Sequence, residues 1–139
     1  MSLKLSITKL VVPIGDPAGI GPEVALKAIA ALENNYQSII TLMGPTGLLT
    51  QPYYQQLIAE NKLTITKIDS IENISENGVF YLAATPEYKD GFGHSTPASG
   101  KACYDQIKLA NQWCIDGYAS AMVTAPIAKT SLQFVSSFT

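Results

Sequence analysis

An apolar run, Leu10 to Ile14, stops at Gly15, passes through Asp16-Pro17-Ala18-Gly19-Ile20 and re-emerges as a helical pattern at Gly21-Pro22-Glu23. A β-run that feeds a helix start across so short a turn is the unit from which α/β sheets are built. Pro22 suits the first helical turn, where its missing N–H costs nothing, and the Glu23 carboxylate faces the positive end of the peptide dipoles. Val24, Ala28, Ala31 and Leu32 then recur at helical spacing. The turn has two readings. Gly15, Gly19 and Gly21 either let the chain bend and pack, or let the backbone approach an anion such as phosphate or carboxylate at the helix start. The order G-x-x-x-G-x-G is not the G-x-G-x-x-G of a dinucleotide fingerprint, and no clear partner acid follows on a later strand.

The rest of the chain repeats the alternation. Strands are expected at Thr8 to Ile14, Ser38 to Met43, Leu63 to Thr66, Val79 to Ala83 and Ser120 to Thr124. Helices are expected from Gly21 to Glu33, Leu48 to Asn61 and Gly100 to Gly117, with another beginning over Pro126 to Gln133. Pro52 can stand only in the first turn of its helix, which leaves that start open. Thr85 to Ser99, rich in Gly and Pro, is long enough for a functional loop. The expectation is one α/β unit over residues 1–139, a parallel or mixed sheet with helices on both faces. With 47% hydrophobic and 14% charged residues the chain can bury a real core. A net charge of −2 provides no basic face for nucleic acid, and no run is long enough to span a membrane. No secretory signal pattern opens the chain, so a cytoplasmic protein is expected.

Several candidate chemistries fall on inspection. Ser99-Gly100-Lys101 is not a phosphate loop, because Ser95 stands where its first glycine belongs and Ala102 where its Ser/Thr belongs. Ser99 reads instead as the N-cap of the helix that follows. His94, the single histidine, has no visible partner and reads as a solvated loop residue. Cys103 and Cys114 lie on one helical stripe with Ile107 and Ala110. Eleven residues of helix separate their backbones by about 16 Å, which excludes a disulfide, so both read as core thiols. Asp16 either bonds nearby N–H groups or orients a polar group of a substrate. Lys129, just past a strand end, is an exposed helix lysine or reaches an anion.

Gly15-Asp16-Pro17-Ala18-Gly19-Ile20-Gly21-Pro22-Glu23 and Val123-Thr124-Ala125-Pro126-Ile127-Ala128-Lys129 resemble two signature blocks of the 4-hydroxythreonine-4-phosphate dehydrogenase family of vitamin B6 biosynthesis. The layout between them is similar too. The resemblance implies part of an isocitrate/isopropylmalate dehydrogenase-like fold, two α/β domains about a cleft in an obligate homodimer. It implies oxidation and decarboxylation of 4-phosphohydroxy-L-threonine, or a similar phosphorylated hydroxy acid, with NAD or NADP and a divalent metal. Asp16, Gly19, Gly21 and Lys129 then become candidates for a substrate or anion cleft. Ala128 departs from the His or Asn often found there, so any contact of that side chain is missing. The family's metal is held by three histidines that would follow Thr139, together with most of the cofactor site. The chain is therefore expected to be an incomplete N-terminal segment, binding no metal or cofactor alone, inactive alone and inclined to associate through exposed apolar surface. The ending Phe134 to Thr139, without a capping element, fits that expectation. The alternative is a non-catalytic anion-binding or interaction module derived from the family.

Overall fold

A computed structural model describes residues 7–72, 74, 76–127 and 132–133. Five strands, β1 (Lys9–Pro13), β2 (Ile39–Pro45), β3 (Ile65–Ile68), β4 (Gly78–Thr85) and β5 (Ala121–Met122), form a single sheet in the order β3-β4-β2-β1-β5. Every pairing is parallel, with Leu10 opposite Ile40 and Ala121, and Ile40 opposite Val79. The helices are α1 (Gly21–Ala30), α2 (Pro52–Glu60) and α3 (Pro97–Ile115).

Period-two alternation divides the strand side chains between two cores. Ile40, Leu42, Val79 and Tyr81 face α1 and α2, packing with Leu26, Ile29 and Tyr54. Val11, Met43 and Leu82 face the other way, toward Ala110 of α3 and its partly buried neighbours Leu109 and Trp113. β2 is buried along its whole length, as a central parallel strand covered on both faces must be. The result is the expected three-layer α/β arrangement.

The boundaries moved where local chemistry outweighed composition. α1 ends at Ala30, and Glu33 and Asn34 turn the chain with φ of 52° and 62°. Its buried face carries Ala25, Leu26 and Ile29, whereas Val24, Ala28, Ala31 and Leu32 are exposed. This segment is apolar nearly all round, so periodicity alone cannot choose its face. The expected helix from Leu48 is a short 3-10 turn, Leu48–Thr50, broken at extended Gln51, with α2 starting at Pro52. The third strand lies two residues later than expected, at Ile65–Ile68.

The largest correction is the start of α3. Thr96, not Ser99, is the N-cap; the Thr96 hydroxyl accepts from the Ser99 N–H at 3.1 Å and the Ser99 hydroxyl accepts from the Thr96 N–H at 2.8 Å. This reciprocal box, with Pro97 in the first turn, fixes the helix three residues before the expected start. The inward stripe of α3 is Ser99, Ala102, Cys103, Gln106 and Ala110, so Cys103 is buried while Ile107 and Cys114 are only partly so. Both cysteines are free. Most of the expected last helix, Lys129 and the segment Phe134 to Thr139 lie outside the described residues.

Candidate functional site

Adjacent strands β2 and β4 send their following helices, α2 and α3, to opposite faces of the sheet. Such a reversal opens a crevice at the carboxyl ends of the strands, the usual ligand site of an open α/β sheet. Three segments meet there: the β1–α1 turn, the start of α2 and the loop before α3. They enclose a cavity of about 510 Å³ lined by Ala18, Gly19, Ile20, Glu23, Tyr53, Tyr54, Phe92 and Gly93.

The β1–α1 turn is held from within. Gln106 of α3, fully buried, meets the Gly15 peptide with both ends of its amide: Gly15 N–H donates to Oε1 and Nε2 donates to the Gly15 carbonyl, each at 3.1 Å. Asp16 is 4% exposed. Its Oδ1 accepts from Ala18 N–H at 2.7 Å, and its Oδ2 accepts from the hydroxyls of Ser95 at 2.8 Å and Ser99 at 3.2 Å. Gly19 N–H closes the turn on the Asp16 carbonyl at 3.0 Å. Gly93 N–H donates to the Ala18 carbonyl at 3.0 Å, which carries the Phe92–Gly93 segment over the cavity. Asp16 therefore ties one turn to one loop and one helix start, while Ala18, Gly19 and Ile20 form the cavity wall.

The glycines divide by role. A Cβ on Gly21 would lie 2.1 Å from the Ile14 carbonyl oxygen, and one on Gly15 2.8 Å from that of Pro126. These two permit the turn to pack against its own scaffold. Gly19 is exposed and meets nothing nearer than 3.6 Å. Of the four candidate cleft residues, the structure thus brings Gly19 to the cavity and buries Asp16 and Gly21 behind it; Lys129 lies outside the described residues. The amides of Gly15, Ala18 and Gly19 are already committed, and among the described residues no cationic side chain lines the cavity.

Sequence reasoning did not find Ser95, Ser99 or Gln106 as partners of the turn. Gln106 left one sign: a polar residue within the otherwise small and apolar inward stripe of α3 has to find a partner. Burial, and secondarily the charge of Asp16, pushes the Cys103 thiol up to about 12. Burial and then Glu23 push the Tyr54 hydroxyl up to about 12 as well. Neither side chain can act as a base or nucleophile near neutral pH. His94 is exposed on the loop. Among the described residues no three His, Cys, Asp or Glu side chains lie together as a metal site would require. The described residues do not by themselves assemble the metal centre that the resemblance implies.

Residues 35–137 match the family described as pyridoxal phosphate biosynthetic protein PdxA. The chain belongs to the PdxA family. The matched span includes α3 and the second signature block, while the glycine turn precedes it. A 4-hydroxythreonine-4-phosphate dehydrogenase of Synechocystis sp. is 36% identical over 132 residues, which cover 93% of this chain and 35% of the relative. A 1,2-dihydroxy-3,5-cyclohexadiene-1,4-dicarboxylate dehydrogenase of Comamonas sp. is 28% identical over 90% of this chain and 36% of its own length. The solved structure of a 4-hydroxythreonine-4-phosphate dehydrogenase from Salmonella typhimurium superposes with a TM-score of 0.71 at 23% identity, over 93% of this chain and 40% of that one. The PdxA-like fold is thereby shared. The chain spans about a third of the length of the curated relatives it matches. No helix among the described residues is long and apolar enough to cross a membrane.

Proposed function

We propose that these residues form one wall of the cleft of a dehydrogenase that uses NAD or NADP and a divalent metal. The reaction is oxidation, followed by decarboxylation, of 4-phosphohydroxy-L-threonine or a similar phosphorylated hydroxy acid in vitamin B6 biosynthesis. The observation that carries this reading is the extent of the likeness. Similarity to dehydrogenases named for that substrate runs over 93% of the chain but reaches only about a third of their length. The relative from Comamonas, named for a dihydroxycyclohexadiene dicarboxylate, is the reason the proposal extends to similar hydroxy acids.

In this reading the Asp16–Ser95–Ser99 cluster and Gln106 hold the cleft wall and Gly19 lies at its face, with Lys129 kept as a candidate contact for an anionic group of the substrate. The isocitrate/isopropylmalate dehydrogenase-like second domain, the metal ligands and the phosphate anchors are assigned to polypeptide outside these residues, and a second copy completes a cytoplasmic homodimer. Among the described residues the lining holds no cationic side chain, and a phosphate needs charge-assisted donors. The bound metal would polarise the alcohol oxygen and stabilise the enolate formed on loss of carbon dioxide.

The test is an assay of NAD(P)H formation from 4-phosphohydroxy-L-threonine with added divalent metal. It compares this chain with a chimera in which the remaining two thirds of the Synechocystis relative continue after Thr139. Turnover by the chimera alone is expected. Turnover by the 139 residues unaided, or an inert chimera that is folded and metal-loaded, overturns the proposal.

A further inference from the structure

The cavity at the sheet's carboxyl end has a lining suited to a different charge from phosphate. Its floor is Tyr54, 1% exposed. Phe92 lies against that ring edge to face, with centroids 6.1 Å apart and planes at 68°, and Tyr53 does so from another side at 5.4 Å and 72°. Tyr54 belongs to both edge-to-face pairs, so the three rings form one aromatic cluster along the cavity. Among the described residues the one charged side chain of the lining is Glu23, whose carboxylate accepts from the Tyr53 hydroxyl. Lys27 stands 3.6 Å from Glu23, but its side chain is 61% exposed and does not line the cavity. The pair is neutral at long range, but the cavity lining carries the Glu23 carboxylate without the Lys27 ammonium.

We propose that this cavity is a seat for an alkylammonium cation, with Tyr53, Tyr54 and Phe92 as its aromatic walls and Glu23 as its counter-charge. Rings beside a cation attract it through their quadrupoles, and a carboxylate at the rim adds a counter-charge at contact range. Anions are disfavoured by that carboxylate and by the prior commitment of the Ala18 and Gly19 amides. At about 510 Å³ the space is ample for a small organic cation. Because the seat is built wholly from this chain, it stands whether or not the polypeptide turns over substrate.

The test is a titration of the 139-residue chain with choline at low ionic strength, followed through the backbone amide resonances of Gly19 and Gly93. The uncharged isostere carrying a tert-butyl carbon in place of the ammonium nitrogen, and inorganic phosphate, are titrated in parallel. Choline should move these resonances and bind at least about fivefold more tightly than the isostere. Phe92→Ala, at an exposed loop position, and Glu23→Gln, each checked for native far-UV dichroism, should weaken choline about two- to fivefold. Equal binding of the isostere, movement by phosphate rather than choline, or full choline affinity in both folded variants overturns the proposal. The isostere comparison uses the unmodified chain, so it decides even if a variant fails to fold.

Discussion

Gly21→Ala is the sharpest test of what the glycine turn is for. Gly21 opens α1, and a methyl group there would lie 2.1 Å from the Ile14 carbonyl oxygen and 3.2 Å from that of Pro126. Ordinary contact begins at 3.4 Å, so more than an ångström must be found. Neither neighbour has it to give. Ile14 is 1% exposed and its N–H is bonded to Met43 at 3.0 Å, while the Ala125 N–H beside Pro126 is bonded to Pro13 at 3.0 Å. Overpacking where side chains can shift costs about 1–3 kcal/mol, and with backbone on both sides the cost should be about 3 kcal/mol or more. At a urea slope of about 1–3 kcal/mol per molar, the unfolding midpoint should fall by at least about 1 M. Gly19→Ala, whose methyl would meet only Asp16 atoms at 3.6 and 4.0 Å, should change stability by less than about 0.5 kcal/mol. Urea unfolding read by far-UV dichroism and by Trp113 fluorescence measures both. A Gly21→Ala midpoint equal to the parent's, or a Gly19→Ala midpoint lowered as far as that of Gly21→Ala, refutes the packing account.

Gln106→Leu keeps the bulk on α3 but leaves the Gly15 N–H and carbonyl buried without partners; at about 1–3 kcal/mol for each orphaned group, a loss of about 2–6 kcal/mol is expected in the same urea assay. Alkali should destabilise the fold in a defined window. The folded Cys103 and Tyr54 titrate at about 12 against ordinary values of 9.0 and 10.0, so the unfolded chain gives up these protons first. Stability should hold below about pH 9 and decline as pH rises toward about 12, with Tyr54→Phe removing part of the decline; a urea midpoint constant to pH 11 contradicts this.

Sheet membership was legible because it is written in short-range pattern. Ile39-Ile40-Thr41-Leu42 and Val79-Phe80-Tyr81-Leu82 are β-rich runs bounded by turn residues, and they pair in the centre of the sheet. Helix α3 was legible in its body and misplaced at its start. The capping box there uses Ser99 at the third helical position, where Glu or Gln is the usual sign, and Pro97 sits among residues that read as loop. Which face of α1 would be buried was beyond periodicity, because Val24 and Ala25 are equally apolar and only the approach of the sheet and α2 distinguishes them. The site was legible at one residue of each contact. Asp16 and Gly15 were singled out as the turn, yet their partners Ser95, Ser99 and Gln106 lie 79, 83 and 91 positions away, and nothing local marks such pairs.

That division bears on how a glycine-rich turn at a helix start should be read. Its composition fits anion binding only while its amides are free, and here three of them are spent before any ligand arrives: on Gln106, on the Asp16 carboxylate and on the Asp16 carbonyl. The same bonds give the turn its fixed shape, so the residues left facing the cavity, Ala18, Gly19 and Ile20, are presented by a rigid frame. Rigid presentation is what a cleft wall requires, because a ligand that must order its own site loses affinity to that ordering. In the proposed cleft a buried carboxylate would thus serve without touching the ligand. Removing Asp16 would be felt at the cavity through Ala18, whose N–H it holds, and through Ser95, next but one to Gly93, whose N–H bonds the Ala18 carbonyl.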